Sequence, residues 1–587
     1  MINNHPLISQ LNKLKESSKE AVADAQYEGG DELKAYLHVE RQVEKDLKEI
    51  IREASLSNKA CLVLVCGNVG DGKSHLLSKI CQDTNMADAL KEFYIHNDAT
   101  ESFSPDQTCL ETLSEILAPF SDDNISGCND KWILAINLGT LSNFIEDQSV
   151  EFSKLKFFVE QNGIINPENF EIRDKYISDS NFQYVNFTNH HFYELTEDGA
   201  EPKLLETLLE KVITPIQENP IFFAYQQLVE EEWSLTCPVR INFETLFVEK
   251  NRQVIASLLV ECILKDKLII SFRQILNFIH DMLVPYELSS LEFGKYKKVV
   301  LNVTSDLRLD YNLINYIFQR PQISKIFYSF HKLDPSIRRY ESLDERAITL
   351  FTSTNPIDVF NNDFTDLSPS LTNNLGDQNG FKDILFKTYL RLRYFMNYKD
   401  IVYQDDYFKS FTKALFFSNT KDASGLKEIN ELVKNVALLW NGSTLEKNKI
   451  MFNSISKHSS YRLFRTIHFI SILPRPSDKL QANVLHQFLT EVKIKFKKPT
   501  THNSERDNVI SIDVDYSLFL LLQKVKSGYR PNKLDRNSFI NFVSLVDNLI
   551  YDNSENEELF IDEVNIGKHL DYTLKLDEYG DFKFSAL

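Results

Sequence analysis

Glycine and proline are scarce. The chain has 17 of each in 587 residues, which argues against a loop-rich or fibrous protein. Its seven cysteines, at 61, 66, 81, 109, 128, 237 and 262, include no C-x-x-C pair. Structural zinc favours such pairs, so this odd, dispersed set reads as the reduced thiols of a cytosolic protein. No apolar run approaches the roughly 18 residues needed to cross a membrane. The opening stretch MINNHPLISQLNKLKESSKE lacks the basic-then-apolar order of a secretory leader. A cytoplasmic location without membrane contact is expected. Positive charge is also in deficit: 65 Lys and Arg stand against 84 Asp and Glu, a formal net of −19. The molecule as a whole is a poor match for a nucleic-acid backbone, and any DNA contact is expected from local basic patches or a partner subunit.

What the chain does have is apolar bulk. Hydrophobic residues make up 43%, with 42 Phe and 24 Tyr, enough for sizeable cores in roughly three to five domains. Residues 1–58 read as an N-terminal helical arm, with apolar residues at three- and four-residue spacing between charged faces. Residues 59–243 alternate short apolar runs with helical patterns. CLVLVC (61–66), EFYIHND (92–98), KWILAIN (131–137), FQYVNFTN (182–189) and CPVRINF (237–243) are the strand candidates. That alternation implies a parallel sheet with helices on its faces. Residues 244–299 read as a helical lid, 300–488 as a mainly helical domain, and 489–587 as a small α/β domain with strands from about residue 490.

The sharpest motif lies between the first strand and its helix. Gly67, Asn68, Val69, Gly70, Asp71, Gly72, Lys73 and Ser74 fit G-x-x-x-x-G-K-[ST]. Glycines let backbone N–H groups turn inward around phosphates, and the following helix aims its positive end at the same anion. Lys73 would reach the β- and γ-phosphates, and the Ser74 hydroxyl would bind the Mg²⁺ that bridges them. The strand–loop–helix context turns the motif into a strong signal for nucleotide binding, and leaves hydrolysis open.

Hydrolysis needs an acid at the tip of a neighbouring strand. The third strand ends in Asn137, which can orient a water or a phosphate but cannot act as a base. The second ends in Asp98, followed by Glu101. Asp98 is the candidate metal-side or water-side carboxylate, with a turn-forming aspartate as the alternative. An AAA+-like ordering places Asn186 or Asn189 as a γ-phosphate sensor, and Arg273, in ISFRQILNFI, as an arginine that folds over the nucleotide. A plain strand-end Asn and a solvated helix-face Arg are the alternatives. Arg240 and Arg252 are candidate trans-acting fingers.

Two basic patches stand out. EVKIKFKKPT (491–500) puts Lys493, Lys495 and Lys497 on one face of a strand. KVKSGYRPNKLDR (524–536) groups Lys524, Lys526, Arg530, Lys533 and Arg536 around Tyr529. Both suit a phosphate backbone; lysines guarding an edge strand and a solvated loop are the alternatives. No nuclease constellation, Ser-His-Asp elbow or metal-spaced Cys/His set is found. His190-His191 stands without partner carboxylates in the sequence pattern.

The blocks LVLVCGNVGDGKSHLL, FYIHNDATESF, AINLGTLSNF, KDKLIISFRQILNFIHDMLVP, KLDPSIRRYESLD, LWNG and DYSLFLLLQKVKSGYRPNKLDR, in order from residue 60 to the C-terminus, resemble the DptF (DndF) family of DNA phosphorothioation-dependent restriction systems. The resemblance implies a P-loop ATPase subunit of a bacterial antiphage complex. It would work with DptG-like and DptH-like companions against DNA that lacks the sulfur mark. Gly67 through Ser74 carry over as the nucleotide site, while Asn137 departs from the usual acid and leaves the catalytic residue unassigned. The expected architecture is an AAA+-like P-loop NTPase sheet with a helical lid, then a helical region and a small α/β domain. ATP and Mg²⁺ are the expected cofactors, and a homo-oligomer is left open. The alternatives are an AAA+ or STAND-like switch ATPase without a direct DNA role, and a scaffold that binds ATP without turnover.

Overall fold

The computed structural model describes residues 5–15, 32–97, 109–166, 176–302, 305–338, 344–364, 382–400, 403–442, 449–451, 461–467, 469–497, 509–551, 559–563, 571–576 and 581–586. The chain divides into two units. The first comprises residues 1–194, 200–404 and 486–488; the second comprises 195–199, 405–485 and 489–587.

In the first unit, strands β1 (Cys61–Gly67), β2 (Phe93–His96), β3 (Lys131–Asn137) and β4 (Phe182–Asn186) form a parallel sheet in the order β2-β3-β1-β4. Gly67 stands level with Asn137 on one side of β1, and Cys66 level with Asn186 on the other. Every residue of β1 is buried. Parallel sheets are covered on both faces, which is why this strand reads as an unbroken apolar run. Its side chains alternate between two layers. Leu62, Leu64 and Cys66 join Leu134, Ile136, Phe144 and Phe158. Cys61, Val63 and Val65 join Ile133 and Ala135.

The second of these layers is closed by two helices, α1 (Gln42–Leu56) and α2 (Lys73–Gln82). Val43, Leu47, Ile50, Ile51 and Ala54 from α1 pack beside Leu76, Leu77 and Ile80 from α2. Their helical spacing builds one apolar stripe. The C-terminal part of the expected arm is therefore a wall of the sheet's own core.

Residues 237–243, expected as a fifth strand, instead form most of helix α3 (Pro238–Thr245). Pro238 opens it, where a fixed φ and a missing N–H cost nothing. The helix is buried nearly all round, at Pro238, Val239, Ile241, Asn242, Phe243 and Thr245, so no amphipathic period marks it in the sequence. Among the described residues the parallel sheet has four strands. Further helices follow, among them α4 (Phe272–Leu283), which opens with a capping box between Ser271 and Gln274. Deeper in this helical region Arg391 meets Asp334 in a bidentate pair, at 2.6 Å from Nη2 and 3.0 Å from Nε. Its Nη1 donates to Asn315 Oδ1 at 2.9 Å. Both charged side chains are buried.

The second unit contains α5 (Asp406–Asn419), β5 (Lys449–Met451), β6 (Tyr461–Thr466), β7 (Ile470–Ile472), β8 (Val492–Lys497), β9 (Val509–Val514), α6 (Tyr516–Lys526), α7 (Lys533–Ser538), α8 (Ile540–Tyr551), β10 (Leu559–Glu563), β11 (Asp571–Leu576) and β12 (Phe582–Ala586). Two antiparallel sheets result, β9-β8-β7 and β12-β11-β10-β6-β5. The strands expected beyond residue 490 are present. Strands β5 to β7 fall in a stretch expected to be helical. They are three to six residues long, and β6 carries two arginines on a half-exposed surface, too short and too polar for a clear period of two.

Candidate phosphate-binding site

The loop from Gly67 to Ser74 leaves the carboxyl end of β1, which lies between β3 and β4. The chain passes to one side of β1 for β2 and β3 and to the other for β4, the kind of switch point where open α/β sheets form a crevice. Gly70 and Gly72 have φ of +85° and +93°, a left-handed backbone that favours glycine. Gly67 is required for a different reason: a Cβ there would lie 2.9 Å from Phe187 Cβ. Helix α2 starts at Lys73, so its free N–H groups and its positive dipole end open onto the loop.

Lys73 ties the loop to the next strand. Its Nζ donates to Gly67 O at 3.1 Å, Asn68 O at 2.7 Å and Asn137 Oδ1 at 3.0 Å. Ser74 Oγ donates to Asn97 O at 3.4 Å, just past β2. Asp98 and Glu101 lie outside the described residues. Asp71 Oδ2 accepts from Asn68 N at 2.7 Å. Burial raises the Asp71 carboxyl above its ordinary range, against the pull of that N–H, Lys73 and Arg41. Behind the loop, burial pushes the Cys66 thiol up to about 12, which leaves it unreactive.

The start of α4 lies against the same loop. Arg273 N donates to Gly70 O at 3.4 Å, and Ser271 Oγ would be 3.1 Å from a Cβ on Gly70. Arg273 is thus brought to the loop. Asn186 is not offered to it: its Oδ1 accepts from Thr188 N at 3.1 Å and Thr188 Oγ1 at 2.6 Å, while its Nδ2 donates to Ile164 O at 3.1 Å. This buried amide caps the turn that carries Phe187. Asn189 ends that turn. Arg240 is held by Glu244 at 2.8 Å and Ser234 at 2.6 Å. Arg252 donates to Leu246 O at 2.7 Å and Phe247 O at 3.2 Å. Both guanidinium groups are engaged by their own neighbourhoods.

Two features went unread in the sequence. Arg41, just before α1, donates from Nη2 to Asp71 O at 3.2 Å. Its guanidinium lies 4.8 Å from the Phe187 ring and 5.6 Å from the Phe272 ring. Burial lowers it to about 10, opposed by Asp71 and Glu44, so it stays charged. Lying 26 residues before Gly67 and inside a charged run, it carries no local signal. The second feature is a relay beside α2. His75 Nε2 meets His38 Nδ1 at 3.3 Å, His38 meets Glu44 at 3.0 Å, and Lys48 bridges Glu44 at 2.9 Å and Asp83 at 3.0 Å. Burial lowers His75 to about 4, with nearby His38, Lys79 and Arg41 adding to it, so it is neutral near pH 7.

The arrangement suits a chain of phosphates: inward-facing backbone at glycines, a helix N-terminus, a lysine and a flanking guanidinium. Among the described residues no three His, Cys, Asp or Glu side chains stand together as a metal site, and no helix is long and apolar enough to cross a membrane. No family model matches the chain, and no curated protein matches it.

Proposed function

We propose that the chain binds ATP with Mg²⁺ at Gly67–Ser74 and serves as the ATP-binding and hydrolysing subunit of an antiphage complex that restricts DNA lacking phosphorothioate. The nucleotide half of this reading is carried by Lys73, which starts a helix on a glycine loop at the sheet's switch point. The restriction half rests on the resemblance of the later sequence blocks to the DptF family, with DptG-like and DptH-like proteins as companions. Mg²⁺ would supply a bridge between phosphate oxygens. The backbone N–H groups of the loop would orient the phosphates, Lys73 would exchange its carbonyl and Asn137 contacts for phosphate oxygens, and Ser74 would hold the metal.

The contact between Lys73 and Asn137 also favours a second reading. An amide stands where the neighbouring strand would otherwise offer a carboxylate, so nucleotide occupancy rather than fast turnover would be the working signal. Binding of a fluorescent ATP analogue, phosphate release with and without companions, and plasmid restriction separate the readings. Lys73→Ala is expected to weaken nucleotide binding by about 100-fold, the scale of one to two charge-assisted hydrogen bonds, and to abolish restriction. Unchanged binding would overturn the nucleotide site. Restriction that survives the loss of binding would overturn its role as a driver. Binding without phosphate release, alone or with companions, selects the switch or scaffold.

A further inference from the structure

The formal charge of −19 is unevenly placed. The second unit holds 25 Lys and Arg against 26 Asp and Glu, a net of −1, and the rest of the chain holds 40 against 58, a net of −18. Residues 405–551 alone hold 22 against 14, a net of +8. The three-stranded sheet β9-β8-β7 lies in this basic stretch. Its middle strand is β8, paired with β9 on one side and β7 on the other, so its lysines do not guard an edge. Val492, Ile494 and Phe496 point into the core, and Lys493, Lys495 and Lys497 point out. Helices α5 and α8 pack against β8 and β9.

The register separates the three lysines. Lys493 stands opposite Asp513. Lys495 stands between Ser511 and Ile472, and Lys497 between Val509 and Ile470. Directly opposed pairs are the closest across a sheet; Lys495 and Lys497 have no carboxylate directly opposite them, and Asp513 stands diagonal to Lys495. Ile470, Ile472 and Val509 are 71%, 38% and 44% exposed. The outward face therefore carries lysines along its midline, flanked by exposed Ile470 and Ile472 on one side and by Val509, Ser511 and Asp513 on the other.

We propose that this face docks the phosphate backbone of duplex DNA. Two residues along a strand advance about 6.7 Å, close to the roughly 7 Å between neighbouring phosphates on one strand of a duplex, a chord made of about 3.4 Å of axial rise and about a tenth of a helical turn. The two lysines are fixed at that step by hydrogen-bonded neighbours on both sides. Paired strands Ile470–Ile472, Val492–Lys497 and Val509–Val514 place no aromatic ring on the outward face, so there is no platform for stacking the bases of a single strand. Contact to phosphates alone positions a duplex without reading its sequence.

The proposal uses residues outside the nucleotide loop and stands or falls apart from the ATP reading. The test is anisotropy of a labelled mixed-sequence duplex titrated with the full-length protein over a series of salt concentrations. Lys495→Glu/Lys497→Glu is compared with Arg530→Glu/Lys533→Glu in the other basic patch. The expected result is weak binding at low salt that the first variant weakens by at least about tenfold, with a salt slope shallower by about 0.9 for each phosphate no longer neutralised. The second variant keeps the wild-type slope. Thermal melts and ATP-analogue binding of the same samples report folding and the loop separately. No duplex binding by wild type at low salt, loss only in the Arg530/Lys533 variant, or binding of anionic vesicles in preference to duplex would each overturn it.

Discussion

The two units differ most in where they keep their charge. The first carries nearly the whole negative excess, yet its most distinctive charged groups are buried and paired: Arg391 with Asp334, Glu44 with His38 and Lys48, and Arg41 against the loop. The second is close to neutral and displays lysines on an open sheet face. A net charge taken over the full chain thus describes the first unit and hides the second. Polyanion contact disfavoured by −19 for the whole molecule is favoured by the net of +8 within residues 405–551.

The largest expected effect comes from breaking the Arg391–Asp334 pair. Asp334→Asn leaves a buried guanidinium without its counter-charge, which costs about 3–5 kcal/mol. Arg391→Met with Asp334→Leu removes both charges and should recover much of that loss. Urea denaturation followed by limited proteolysis reads the units separately. The comparison predicts that the first unit becomes susceptible while fragments of the second persist. Simultaneous loss of both units would show that they unfold as one body.

Acid should sharpen the same contrast. Burial lowers His5 to about 3 and His75 and His191 to about 4, and all three belong to the first unit. These folded-state values lie below the unfolded value of about 6.5, so the unfolded chain binds the extra protons. Their stabilising contribution is complete above about pH 6.5 and is lost as pH falls toward 4 and then 3. His75 alone accounts for up to about 3 kcal/mol. In the second unit, Lys479 and then Ser424 hold the Asp422 carboxyl well below its ordinary range. Its contribution persists until pH falls below about 3.9. Urea midpoints between pH 7 and 4 should therefore drop for the first unit before the second, and His75→Gln should flatten the first slope. Equal slopes in the two units would remove the distinction.

Legibility in the sequence also divides along chemical lines. The loop from Gly67 to Ser74 was readable because its residue types and spacing are set by phosphate chemistry, and β1 because burial on both faces leaves an unbroken apolar run. Helix α3 was missed because a helix buried all round shows no period. The lysines of β8 were visible, but their meaning was not. Whether they guard an edge or line an open face depends on β7 and β9, which pair with them from about 20 residues before and 15 after. Asn186 looked like a sensor by position, and the structure gives its amide to a turn. Polar residues at strand ends serve either purpose, and only the hydrogen-bond partners tell them apart.

The smallest expected effect tests how far the first unit's buried charge serves its loop. Arg41 donates to Asp71 O and faces the rings of Phe187 and Phe272, so it joins the loop, the turn after β4 and the first residue of α4. A loop held in place before the anion arrives loses less freedom on binding. Arg41→Ala should weaken ATP-analogue binding by about tenfold, the worth of one charge-assisted hydrogen bond or a partly desolvated cation–π contact. Arg41→Lys keeps the charge but loses the planar contact with both rings, and should rescue little. Full rescue by lysine would mean that charge alone acts at this position, and that the aromatic clamp contributes only to packing. Equilibrium titration of the three proteins, with the urea midpoint of each as a control for folding, decides between these outcomes.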